Sequence, residues 1–182
     1  MPTSPAGIPE SSGRRPPRSN GMAPDWYDTA QMCRNGHVVN DSVKSFPKGN
    51  APHCDMCGAP TITQCDSCKQ PIRGRYHMDG VWAPGSYTPP AFCSKCGATF
   101  PWTESKLQTA RDFVAELKEL KPKERELLNQ SIEELVANTP RTEIAALRVK
   151  KLLKKVRAEA LPLLKAILVE ILAESVRKQV GL

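Results

Sequence analysis

No stretch of this 182-residue chain approaches the roughly 18 consecutive apolar residues of a membrane-spanning helix, which excludes helical insertion into a bilayer. Apolar types make up only 40% of the residues, a low share for one large core, so two modest units are expected. The opening "MPTSPAGIPESSGRRPPRSNG" has no apolar stretch of the kind a signal peptide needs, and the expected location is the cytoplasm. Residues 1–24 are dominated by Pro, Ser, Gly and Arg with almost nothing to bury; they read as a disordered tail in which Arg14, Arg15 and Arg18 could touch an anion.

Cysteine is absent after Cys96 and aromatics are nearly so: nine of the ten Phe, Tyr and Trp residues lie from Trp26 to Trp102, and only Phe113 lies beyond. The chain therefore divides into a cysteine-bearing segment, 25–102, and a segment rich in Leu, Lys, Glu, Ala and Val, 103–182. In a reducing compartment, clustered cysteines are more often metal ligands or redox groups than disulfides, and seven cannot pair off completely.

The cysteine segment reads as four ligand pairs: Cys33-x3-His37, Cys54-x2-Cys57, Cys65-x2-Cys68 and Cys93-x2-Cys96. Each short spacing lets one tight loop aim two donors at one ion, and two loops complete a tetrahedron. "CDMCGAP" and "CSKCGAT" both close on Cys-Gly-Ala, a repeat that favours two successive ribbons over a cross-braced arrangement. Site one is then Cys33, His37, Cys54 and Cys57, and site two is Cys65, Cys68, Cys93 and Cys96. The expected cofactors are two Zn2+ ions. Gly58 and Gly97 would permit the turn that brings amides to the sulfurs. His53 rivals His37, but it adjoins Cys54, and adjacent residues chelate one ion poorly. His77 is left over. Asp79 and Gly80, between β-favouring residues, predict a hairpin.

Four protein ligands per ion point to structural rather than catalytic zinc, which keeps an open position for water. Redox catalysis usually uses a single Cys-x2-Cys in a βαβ setting, a poor match to three such pairs.

From Thr103 the apolar period becomes helical. Leu107, Ala110, Val114 and Leu117 share one face with Thr103 as N-cap; Pro122 opens a second helix with Leu127, Leu128, Ile132, Leu135 and Val136; Thr139 caps a third. A last stretch carries Leu164, Ile167, Leu168, Ile171 and Leu172, with Pro162 either kinking one long helix or separating two. The fold class is thus small α+β, two tandem zinc ribbons followed by three to four helices. The last stretches are more apolar than small neighbours easily cover, which suggests packing in a helical hairpin, self-association or a partner protein.

Arg148, Lys150, Lys151, Lys154, Lys155 and Arg157 fall on the side of one helix opposite Val149, Leu152, Leu153 and Val156. Such a stripe is either a solvated face or a contact for phosphates, an anionic membrane surface or an acidic protein. Arg73, Arg75 and Tyr76 share the predicted hairpin and extend the nucleic-acid possibility, although most aromatics lie apart from the basic stripe. His53, His77 and Asp79 form no recognisable catalytic constellation.

Together, "WYDTAQMCRNGHVVNDSVKSFPKG", the Cys-Gly-Ala knuckles, "FCSKCGATFPWTE" and "TPRTEIAALRVKKLLKK" resemble a family of uncharacterised bacterial proteins, known as a domain of unknown function, with paired zinc ribbons before a helical tail. The resemblance covers about residues 25–182 and implies a cytoplasmic zinc-binding protein, with no activity attached to any residue. The leading functional expectation is a non-catalytic interaction or adaptor module, the alternative a nucleic-acid-binding ribbon protein.

Overall fold

A computed structural model describes residues 25–78 and 86–182. The expected disordered tail and the Asp79-Gly80 turn lie outside the described residues. Short antiparallel strands occupy the first half: β1 (Trp26–Thr29), β2 (Gln31–Cys33), β3 (Val38–Asn40), β4 (Thr61–Ile62) and β5 (Arg73–His77). β2 is the centre of a three-stranded sheet between β3 and β4, and β1 pairs with β5 across 44 to 51 residues of chain, from Thr29 opposite Arg73 to Trp26 opposite His77. Five helices follow: α1 (Pro101–Ala115), α2 (Pro122–Ala137), α3 (Thr142–Leu153), α4 (Leu161–Ile171) and α5 (Glu174–Val180).

The α+β class with tandem ribbons holds, and the helices among the described residues number five. The additional helix arises because Leu172 adopts an extended backbone after α4, and the chain restarts as α5. Pro162 sits in the first turn of α4, where its missing N–H costs nothing, so it separates α3 from α4 rather than kinking one helix. Pro122 occupies the expected start of α2, and Glu124 reaches back to accept the Lys121 N–H at 3.0 Å.

Two predicted caps differ. α1 starts earlier, with Phe100 as N-cap and Pro101 supplying preset helical φ, and Thr103 is buried inside the first turn. α3 starts later: the Thr139 carbonyl accepts both the Thr142 N–H at 2.9 Å and its hydroxyl at 2.6 Å, making a turn before the helix. α3 also stops at Leu153, so Lys154, Lys155 and Arg157 stand on the following turns instead of continuing its face.

There are two cores. Leu107, Val114, Leu128, Ile132, Val149 and Leu164 belong to the helical one; Ala30, Met32, Ile72, Phe100 and Trp102 form the other, together with Cys65 and Cys93. Phe100 and Trp102 stack with ring centres 4.6 Å apart, so the first turn of α1 is packed into the ribbon core.

Candidate metal centres

Each cysteine pair is presented by a hairpin loop. In the second, the Cys54 N–H donates to the Ala59 carbonyl at 2.9 Å and the Gly58 N–H to the Cys54 carbonyl at 2.8 Å. The fourth repeats this with Cys93, Ala98 and Gly97, and the third with Cys65, Gln70 and Lys69. Gly58 and Gly97 have φ of 70° and 72°, the left-handed turn expected of them, and Lys69 takes the same place at φ 60°. The first loop is one residue tighter. Its left-handed residue is Gly36, φ 91°, just before His37, and the Cys33 N–H donates to the His37 carbonyl at 3.0 Å. Sequence reading identified two of these four turns and missed Gly36 and Lys69.

The loops bring together two groups: Cys33, His37, Cys54 and Cys57, and Cys65, Cys68, Cys93 and Cys96, with all ligand atoms of each group within 4.8 Å of one another. The pairing is therefore successive, not cross-braced. In the first group Cys33 Sγ lies 3.8 Å from Cys57 Sγ, and His37 Nδ1 lies 3.5 Å from Cys33 Sγ and 3.6 Å from Cys54 Sγ. In the second, Sγ separations are 3.8 Å for Cys65 and Cys96 and 3.6 Å for Cys68 and Cys93. All seven cysteines are free thiols, and these gaps far exceed a disulfide bond of about 2.05 Å. Donors this close without bonding one another surround a volume suited to one ion, so the residues fit two metal sites. His53 is exposed and stands outside both groups.

The electrostatics agree. Backbone amides favour thiolate: that of Ala59 above all holds Cys57 down to about 6, those of Cys96 and Lys95 hold Cys93 at about 6, and those of Cys68 and Ser67 lower Cys65. Neighbours do worse. Burial raises Cys33, and Cys96 is pushed up to about 12: the Ala98 amide favours its thiolate, but the Cys68 thiol and burial prevail. Thiolate is favoured at Cys57 in the first group and at Cys93 and Cys65 in the second, and negative charges gathered this closely need a cation among them. The Asn35 side-chain amide also points at Cys57 Sγ, at 3.4 Å.

The remaining candidates are scattered. Arg75 pairs with Asp41, Nη2 to Oδ2 at 2.5 Å, and Arg73 lies 4.5 Å over the Tyr27 ring. Arg148, Lys155 and Arg157 meet Glu134, Glu124 and Glu119 respectively, so half of the expected basic stripe is matched by acids; Lys150, Lys151 and Lys154 have no carboxylate partner among the described residues. His77 stacks on Trp26 with its Nε2 3.6 Å from Asp28 Oδ2.

The family described as "uncharacterized protein conserved in bacteria (DUF2321)" matches residues 26–180. The chain belongs to that family. The match begins at β1 and ends at α5, so it takes in both candidate metal centres and the five helices described. No curated protein and no solved structure matches the chain.

Proposed function

We propose that this family member is a non-catalytic zinc protein whose two filled sites hold the ribbon half as a surface for a protein partner. The observation that carries the zinc assignment is the set of donor spacings. A tetrahedron with Zn–S of about 2.3 Å and Zn–N of about 2.05 Å has S···S edges of about 3.8 Å and S···N edges of about 3.6 Å. Five of the twelve edges in the two groups are 3.6 and 3.8 Å for sulfur pairs and 3.5 and 3.6 Å for sulfur with His37. Zinc would complete its shell with protein donors at both sites, which supports holding structure over activating water. Thiolates that must stay reduced suit the cytoplasm.

The partner reading rests on one face of the β1–β5 pair, where Tyr27 and Tyr76 lie opposite each other and are 49% and 43% exposed, with Met78, 41% exposed, just beyond β5. Aromatic and Met side chains are enriched at interface centres. By contrast, Leu164, Leu168 and Leu172 of the apolar C-terminal stripe are spent on the chain's own core. Arg73 stacked over Tyr27 favours a second reading, single-stranded nucleic acid on the same face.

A photo-crosslinking residue at Tyr76, in the full chain within bacterial cells, should trap one defined protein, and Tyr27→Ser should abolish the product. Crosslinks to nucleic acid alone would transfer the face to the second reading, and none at all would remove the contact surface.

A further inference from the structure

A cavity of about 540 Å³ lies in the seam between the ribbon half and the helices, within the range of small-molecule sites. Gly36, Pro89 and Ala91 line it from the ribbons; Trp102, Val136 and Leu172 supply apolar wall from the helices. Gly36 belongs to the first metal loop, and a Cβ there would lie 2.8 Å from Trp102 Cβ, so this wall is closely fitted.

Four charged residues border the cavity: Lys106, Glu170, Glu174 and Arg177. The two acids face water, their side chains 75% and 78% exposed, and Glu174 is paired with Lys178 at 3.0 Å. The two cations are less occupied. Lys106 Nζ donates to the Glu170 carbonyl at 3.2 Å and lies 4.0 Å from its exposed carboxylate, a solvated pairing that is worth little. Arg177 Nε donates to the Leu172 carbonyl at 2.7 Å, and its terminal nitrogens meet no acceptor among the described residues. Thr103, 5% exposed, lines the same space.

We propose that the seam cavity binds a small organic anion, its carboxylate or phosphate head between Arg177 and Lys106 and its apolar body against Trp102, Val136 and Leu172. A planar guanidinium fork with free N–H groups suits either oxyanion. Two cations beside an apolar wall select an amphipathic occupant rather than a free inorganic ion. The site goes beyond the interaction role and does not depend on it.

Octanoate and monooctyl phosphate are the probes, titrated below micelle-forming concentration into the full-length, metal-loaded protein by calorimetry and by amide and indole NMR. At least one should saturate at one per chain and shift Gly36, Ala91, the Trp102 indole and Ala173. The tighter of the two identifies the head group. Octanol and inorganic phosphate, each lacking half of the chemistry, should bind weaker by about tenfold or more. Arg177→Gln and Lys106→Met should each weaken the better probe by about tenfold, as expected for a lost charge-assisted hydrogen bond. Arg177 also ties down Leu172, so Lys106→Met, checked for unchanged metal content and circular dichroism, carries the decision if Arg177→Gln misfolds. Absence of saturable binding, shifts elsewhere on the surface, or inorganic phosphate binding as tightly as the octyl compounds would overturn the assignment, as would full affinity in Lys106→Met.

Discussion

Lys69 holds the left-handed turn of the third knuckle at φ 60°, where the second and fourth have Gly58 and Gly97. A side chain in that conformation costs roughly 1–2 kcal/mol, so Lys69→Gly should be neutral to slightly stabilising in a denaturant titration, and Gly58→Ala should cost about 1–2 kcal/mol. A Cβ on Gly58 meets nothing within 4 Å, so strain is the whole penalty. Gly74 is the opposite case: a Cβ there would sit 2.4 Å from the Asp41 carbonyl oxygen, and Gly74→Ala should be the most damaging of the three. Asp28 is a second test at this scale. Burial alone would raise its carboxyl, but hydrogen bonds from Lys44, Ser45 and Thr29 hold it below the usual carboxylate value of 3.8. A depressed folded value means stability that is present above about pH 4 and lost as pH falls through the lowered value. Asp28→Asn should therefore reduce stability by about 1–3 kcal/mol near neutrality, with the gap from the parent protein narrowing below about pH 4. The candidate metal ligands were legible in the sequence because chelation demands short spacings. Asp28 was not, since its partners Lys44 and Ser45 lie 16 and 17 residues away.

Helical periodicity located α1 to α4 by their buried faces, because a 3.6-residue period survives in sequence whatever the tertiary setting. Ends were harder to read. Prolines set the starts of α1, α2 and α4, and the Thr signals at 103 and 139 were outweighed by Pro101 and by the Thr139 carbonyl turn. The break before α5 carries no Gly or Pro; Arg177 Nε bonding the Leu172 carbonyl satisfies the backbone there, a device invisible before folding. The basic stripe was visible as composition, but its neutralisation depended on where Glu119, Glu124 and Glu134 of other segments arrive. Burial gives a prediction for this scale. Leu168→Ala, on the fully buried face of α4, should cost about 2–5 kcal/mol. Leu147→Ala, on the exposed face of α3, should stay within about 0.5 kcal/mol. Urea unfolding of both variants checks the pair.

The two ribbons are joined more closely than a tandem repeat suggests. β5 lies between the third and fourth ligand pairs yet pairs with β1, ahead of the first; the Ala30 N–H donates to the Ile72 carbonyl at 2.9 Å, and Arg34 meets Asp66 at 3.1 Å between the first and third loops. Such pairings over long sequence separation leave no local signature. They predict coupled metal sites: Cys65→Ser with Cys68→Ser should weaken retention of metal at site one, read by competition with a chromophoric chelator. Among the described residues, the helical core shares no buried residue with the ribbon core. Stripping metal should therefore collapse the dispersed NMR signals of residues 25–78 while most of the helical circular dichroism persists.

The central claim is two four-ligand zinc centres with His37 as the non-cysteine donor. Elemental analysis with native mass spectrometry on the parent protein, His37→Ala and His53→Ala tests it most directly. Two zinc ions per chain in the parent and in His53→Ala, with one weakened or lost in His37→Ala, is the predicted result. One metal in the parent, or two held undiminished by His37→Ala, would contradict it.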